Sequence, residues 1–149
     1  LDKWSTKIYD CECYQDLRRT LKSILEDLIG YRLDKDADKN YILIQKCKKY
    51  IEEHYMEDIS LETLAEIFHF NPSYMSNLFK NYTGVTYTDY LTRVRIRKAQ
   101  YMLKNSGDKI YSIARKVGYH NSAYFIKVFK REVGISPFKY KQLTGENER

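Results

Sequence analysis

The stretch "FHFNPSYMSNLFK", Phe68 to Lys80, returns further along the chain as "VGYHNSAYFIKVFK", Val117 to Lys130. The copies align without gaps from Asn71/Asn121 through Tyr74/Tyr124, Phe79/Phe129, Lys80/Lys130 and Gly84/Gly134, an offset of 50. Upstream the offset falls to 49, with Leu61, Leu64, Ala65 and Phe68 matching Ile110, Ile113, Ala114 and Val117. The second copy therefore carries one extra residue in its central turn. A repeat of this period usually builds a solenoid, which needs about three or more units to bury its faces. Two units point to a paired motif instead.

Each copy reads as two short helices around a sharp turn. Ser60 is placed to cap a helix in which Leu61, Leu64, Ala65 and Phe68 recur at i, i+3, i+4, i+7, although Thr63 stands where a full capping box wants Glu or Gln. His69 and Phe70 make the turn. Asn71 caps the next helix, Pro72 suits its first position, Met75, Leu78, Phe79 and Tyr82 form its buried face, and Gly84 ends it. The second copy repeats this with Ile110, Ile113, Ala114 and Val117, a Gly118-Tyr119-His120 turn, an Asn121 cap, and Phe125, Val128, Phe129 and Val133 facing inward. The unit is a helix-turn-helix, with second helices at about 72–82 and 122–133. Ala65 and Ala114 allow the two helices of each unit to cross closely, and a large side chain there should unpack the motif.

Between the copies, "TYTDYLTRVRIRKAQYMLKN", Thr86 to Asn105, contains neither Gly nor Pro and reads as one helix. At 1.5 Å per residue it spans roughly 30 Å, comparable with the ~34 Å between successive major-groove faces on one side of B-DNA. Two reading heads on one chain would then meet two successive grooves.

The flanks define three segments. Residues 1–40 hold Tyr14, Leu17, Leu21, Ile24 and Leu28 in a heptad stripe, followed by the charged linker "DKDADKN", Asp34 to Asn40. A helix packed on its own domain and a homodimeric coiled coil through residues 14–28 fit this stripe equally well. Residues 41–143 form the main domain, opened by an amphipathic helix with Ile44, Cys47, Ile51 and Tyr55 inward, and residues 144–149 are a tail. The start at Leu1 rather than Met reads as a fragment of a longer chain. The expected class is all-α: two helix-turn-helix subdomains joined by a long helix and preceded by an N-terminal helix and linker.

Composition excludes several classes. No run of about 18 apolar residues is present to span a bilayer, and the N-terminus lacks the apolar core of a signal peptide, so a cytoplasmic protein without membrane contact is expected. Cys11, Cys13 and Cys47 fit reduced thiols; Cys11-Glu12-Cys13 has no second ligand pair at metal spacing. His54, His69 and His120 are widely separated and no Gly-rich phosphate loop appears, so neither catalysis, a metal nor a cofactor is expected. The net charge of +6 is unevenly spread: residues 71–143 carry 14 basic and 3 acidic side chains, whereas residues 41–70 carry 3 and 6. Such a local positive field favours a polyanionic partner.

With the buried faces assigned, the outward positions are Ser73, Ser76, Asn77 and Lys80 in the first head. Those of the second are Ser122, Ala123, Ile126, Lys127 and Lys130. Asn can bond adenine through two edge atoms, Lys can reach guanine, and Ala or Ile can touch a thymine methyl. Lys80 and Lys130, a turn further on, together with Arg93, Arg97 and His120, are expected at phosphates. Arg95 and Lys98 share the connecting helix, and some of its cations must enter inter-helix contacts. An adaptor module binding proteins would instead expose aromatic or aliphatic anchors. RNA binding would need exposed stacking aromatics, whereas Tyr74, Tyr82, Tyr119 and Tyr124 fall on or beside the expected packing faces.

These residues resemble the C-terminal DNA-binding domain of the AraC/XylS family of bacterial transcriptional regulators. The resemblance covers Tyr41 to Leu143 and is most specific at Ile113-Ala114, Val117-Gly118-Tyr119, Phe125, Phe129-Lys130, Gly134, Ser136-Pro137 and Tyr140. It implies a seven-helix domain acting as a transcription factor, with double-stranded DNA and RNA polymerase as partners. It also implies base contacts at Ser73, Ser76, Asn77, Ser122, Ala123, Ile126 and Lys127. The Tyr-, Lys- and Leu-rich style is similar to response regulators or sensor proteins ending in this output domain.

Overall fold

The structure, a computed structural model, describes residues 39–145 together with Leu21, Lys22, Ile24 and Leu25. The chain divides into two compact units, Leu1–Leu43 and Ile44–Arg149. In the first unit, the four described residues at 21–25 are helical, with Ile24 buried and Leu21 exposed. The rest of the heptad stripe, most of the predicted linker, Cys11, Cys13 and nearly all of the tail lie outside the described residues.

Seven helices follow from residue 39 onward, and no strand occurs among the described residues. They are α1 (residues 39–54), α2 (Leu61–Ile67), α3 (Pro72–Thr83), α4 (Tyr87–Asn105), α5 (Ile110–Lys116), α6 (Ser122–Val133) and α7 (Pro137–Gly145). Lys39 and Asn40, read from sequence as the end of a linker, are already helical. α1 buries Ile44, Cys47 and Ile51, whose 3, 4 spacing keeps them on one face. Burial pushes the Cys47 thiol up to about 11, so this side chain acts as an apolar filler rather than a nucleophile.

The caps form as their residue types dictate. Ser60 Oγ accepts from the Thr63 amide at 3.1 Å, Asn71 Oδ1 from Ser73 and Tyr74 at 2.9 and 3.3 Å, and Asn121 Oδ1 from Tyr124 at 3.0 Å. Each satisfies a helix N–H that has no intrahelical partner. α3 and α6 both end at a left-handed glycine, Gly84 and Gly134.

The duplication extends further than the sequence comparison reached. Thr86 caps α4 through the Asp89 amide, and Ser136 caps α7 through the Lys139 amide, again 50 positions apart. Tyr90 meets the Phe79 ring edge-on at 5.4 Å; Tyr140 meets Phe129 in the same way at 5.6 Å. The repeated unit is therefore a helix-turn-helix plus the start of a third helix, which is α4 in one copy and α7 in the other. Periodicity alone did not reveal α7, because its nine residues carry no one-sided apolar pattern.

Two cores result. In the first, Leu64, Ala65, Met75, Leu78, Phe79, Tyr87 and Leu91 are buried. In the second, Ile113, Ala114, Val117, Phe125, Val128 and Phe129 close against Ile96, Ala99 and Leu103 of α4. α4 thus contributes to both, and at 19 residues it is about 28 Å long. Tyr82, read from the spacing as a core position, is 40% exposed. The inward face of α3 continues at Thr83 instead, whose hydroxyl donates to the Phe79 carbonyl at 2.7 Å, while the equivalent Val133 packs on the second core.

Candidate nucleic-acid interface

The buried triads Met75, Leu78, Phe79 and Phe125, Val128, Phe129 fix which sides of α3 and α6 turn outward. Ser73, Ser76, Asn77 and Lys80 are all exposed, as are Ser122, Ala123, Ile126, Lys127 and Lys130. The exposure pattern along residues 71–85 is the same as along 121–135, position for position. The two outward faces are thus equivalent in geometry and different in chemistry. Asn77 offers an amide where Lys127 offers an ammonium, and Ser76 a hydroxyl where Ile126 offers a methyl-bearing surface.

The turns between the paired helices differ by one residue, and backbone hydrogen bonds locate it. The Phe70 amide donates to Ala65 O at 2.8 Å and the Tyr119 amide to Ala114 O at 2.9 Å, so these residues correspond and His120 is the insertion. The preceding residue takes a positive φ in both copies, 58° at His69 and 87° at Gly118. A side chain in that region costs energy that glycine avoids. His120 itself is exposed and lines a groove with Tyr111, Arg115, Tyr119 and Ser122, beside the N-terminal end of α6.

The matching groove of the first head is lined by Leu61, Glu62, Pro72, Ser73, Ser76 and Asn77. Glu62 is held ionised below the usual carboxylate range by its backbone hydrogen bond and by Ser60. Tyr111 and Arg115 on one side, and Glu62 on the other, are neighbours of the reading faces that the sequence reading did not select. Counting outward from Asn71 and Asn121 onto the preceding helix would have found them.

The predicted phosphate contacts separate into two sets. Lys80, Lys130 and His120 lie on the reading helices or their turn, exposed. Arg97 is instead paired with Glu52 of α1 at 3.0 Å, and Arg93 opens with Gln100, Glu132 and Val133 into a groove between α4 and the C-terminal end of α6. Arg95, half-buried, turns toward the end of α1: its guanidinium donates to the carbonyls of Tyr55 and Glu57. The tyrosines also part company. Tyr119 is buried, whereas Tyr74 and Tyr124 are 45% and 57% exposed, contrary to the packing expected of them. Tyr74 stacks on Phe70 at 5.7 Å, and Tyr124 contacts the Tyr119 ring at 6.1 Å.

Among the described residues no group of three or more His, Cys, Asp and Glu is placed to hold a metal ion, and no helix is long and apolar enough to cross a membrane. What the two faces offer is hydrogen-bond donors, acceptors and methyl groups on helices of about 18 Å, narrow enough for a major groove.

Residues 64–143, more than half of the chain, match the helix-turn-helix domain family. The regulatory protein PocR of Salmonella typhimurium is 36% identical over 104 residues, which are 70% of this chain and 34% of PocR. The chain spans less than half the length of the curated relatives it matches. Among solved structures, the C-terminal domain of AraT, a response regulator from Geobacillus stearothermophilus, superposes with a TM-score of 0.67 at 32% identity, covering 68% of this chain and 84% of that one. The DNA-binding domain of the global transcriptional factor AdpA, solved with a target DNA, has the same fold at a TM-score of 0.67 and 23% identity, over 70% of this chain and 95% of that one.

Proposed function

This chain belongs to the AraC/XylS family of helix-turn-helix transcriptional regulators, and from that premise we propose that residues 41–143 bind a specific double-stranded DNA sequence. α3 and α6 enter two successive major grooves, with Ser73, Ser76 and Asn77 reading one half of the site and Ser122, Ala123, Ile126 and Lys127 the other. The observation that carries this reading is the pairing of two equivalent, largely polar outward faces, with Ile126 the one large apolar residue among the reading positions and exposed Tyr74 and Tyr124 beside them, on a molecule whose shared α4 is about 28 Å long.

Lys80, Lys130 and His120 hold phosphates in this reading, and Arg115 joins them because the first helix of such a motif crosses the DNA backbone. Exposed Arg93 stays among the phosphate candidates, whereas Arg97 would first have to leave its exposed ion pair with Glu52. Because the two faces differ chemically, the site is asymmetric and one chain suffices for it. RNA polymerase is the further partner through which a regulator of this kind acts, and the domain serves as the output part of a longer, signal-receiving protein.

A fluorescence-anisotropy series over increasing salt tests the reading, using duplex and single-stranded DNA of one random-sequence pool. Duplex should be preferred, with log K falling linearly in log salt as counterions are released. Equal or tighter binding to single strands would favour stacking on the exposed tyrosines and contradict groove reading.

A further inference from the structure

Arg95 connects parts of the molecule that are remote in sequence. Its Nε donates to the Tyr55 carbonyl at 2.8 Å and one terminal nitrogen to the Glu57 carbonyl at 2.8 Å, both just beyond the end of α1. The other side of the guanidinium lies over the Tyr119 ring, 5.4 Å from its centroid, in the turn of the second helix-turn-helix. Tyr119 is buried, and its hydroxyl also meets Thr92 one turn earlier on α4. Gly118 sits so close that a Cβ there would stand 2.9 Å from the guanidinium carbon.

This planar group matches the slot it fills. Two carbonyls in one direction and an aromatic face in the other suit a fork of N–H donors with a flat π surface, and an ammonium matches neither geometry in full. The carbonyls at the end of α1 would otherwise lack these donors, and the turn of the second head would lose the cation on its aromatic ring. Further contacts bind α1 to α4 alongside: Lys48 lies over Tyr90, Lys98 over Tyr55, and Glu52 pairs with Arg97. Among these side chains Arg95 alone is described as touching both the end of α1 and the second turn.

We propose that Arg95 is a positioning residue that locks the second reading head to the end of α1, and thereby fixes the spacing at which α3 and α6 are presented to DNA. The proposal rests on the two-groove reading for its consequence in binding, but not for its structural content. A bipartite site is bound tightly only when both heads are held in register, since linking two modules multiplies affinity by roughly 10²–10⁴ and a loose link forfeits part of that gain. Replacing Arg95 therefore affects the choice of spacing between half-sites more than the reading of either half.

The experiment measures the distance between the heads without DNA. Spin labels are placed on Asn81→Cys and Arg131→Cys, exposed sites at the ends of α3 and α6, in a chain carrying Cys11→Ser and Cys13→Ser. Pulsed dipolar spectroscopy compares Arg95, Arg95→Lys and Arg95→Met, each confirmed as helical by circular dichroism. One narrow distance distribution is expected for the parent and a broadened or shifted one for Arg95→Met. Arg95→Lys, which keeps the charge and one carbonyl bond and is the milder change should the Met variant fail to fold, lies between them. In parallel, a bipartite duplex recovered with the parent should lose about tenfold in affinity with Arg95→Met while tolerance to one added base pair widens. Unchanged distances in a folded variant overturn the proposal whatever the DNA result. Altered distances without any bipartite DNA site leave the positioning role standing and overturn the two-groove reading.

Discussion

Where α2 turns Glu62 and Glu66 to solvent, α5 turns Tyr111 and Arg115; where α3 ends in Asn81 and Tyr82, α6 ends in Arg131 and Glu132. Residues 61–86 carry two acidic groups and one basic group, whereas the equivalent 110–136 carry one acidic and five basic. Yet between residues 71–90 and 121–140 the buried positions coincide, down to the edge-on tyrosine on each central phenylalanine; only upstream do the copies part, Val117 and Tyr119 being buried where Phe68 and Phe70 are not. Packing geometry tolerates little change in volume, so it has been kept, while the solvent-facing positions are unconstrained by the fold and differ with what each must touch. The lesson is that one scaffold holds two outward faces of unequal charge, the second basic and the first slightly acidic.

The shared scaffold is most open to refutation at its centre. Phe79 and Phe129 are both fully buried, and truncation of either to Ala should cost about 3–5 kcal/mol in urea or guanidinium unfolding. Similar losses are expected from the two sites; a large loss at one and a small loss at the other would break the equivalence of the lobes.

The inequality of the faces is tested next. Lys127→Ala should cost about 1–3 kcal/mol of specific binding and relax choice at one or two base pairs. The equivalent Asn77→Ala should cost less. Equal loss on specific and random duplex would assign Lys127 to the backbone instead. Conversely, Glu66→Arg, which gives the first head the charge its counterpart has in Arg115, should tighten binding and steepen the salt dependence by about one unit of slope.

The two turns offer a smaller, backbone-level contrast. Gly118→Ala should destabilise by about 1–2 kcal/mol, because φ is 87° and the new Cβ would meet Arg95. His69→Gly should do the opposite and raise stability by about 1 kcal/mol in thermal melts, since the histidine already occupies that region at 58°.

The smallest contrast concerns Tyr87, whose position in the second copy is occupied by Pro137. The Tyr87 hydroxyl donates to the Ile59 carbonyl at 2.7 Å, and Tyr87→Phe should cost about 1 kcal/mol at neutral pH. Burial, partly offset by Arg95, pushes the phenol from 10.0 up to about 12. A raised pKa in the folded state means that this stabilisation is complete below pH 10 and is lost as pH rises through 12. The gap between parent and variant should close over that window in pH-dependent unfolding.

Much of the architecture is written in the chain because its signals are local. Asn71 and Asn121 cap, Gly84 and Gly134 terminate, and the 3, 4 spacing of apolar residues places both buried faces. Reading failed where tertiary contact decides. Tyr82 has the right spacing for the core, but Thr83 takes the inward position by bonding to its own helix. Arg95 looks like one more cation on a basic helix until residues some 40 positions earlier supply its carbonyl partners. The reading faces were legible by subtraction from the core, whereas Glu62, Tyr111 and Arg115 lie on the preceding helices and needed that subtraction carried across the turn.

Selection of bound duplexes from a random library at fixed, near-physiological salt tests the central claim most directly. Two short, unlike motifs about one helical turn apart are expected, the one assigned to α6 losing its preference at one or two base pairs with Lys127→Ala. Recovery of no motif, or of a single motif indifferent to both α3 and α6, would contradict a two-headed reader.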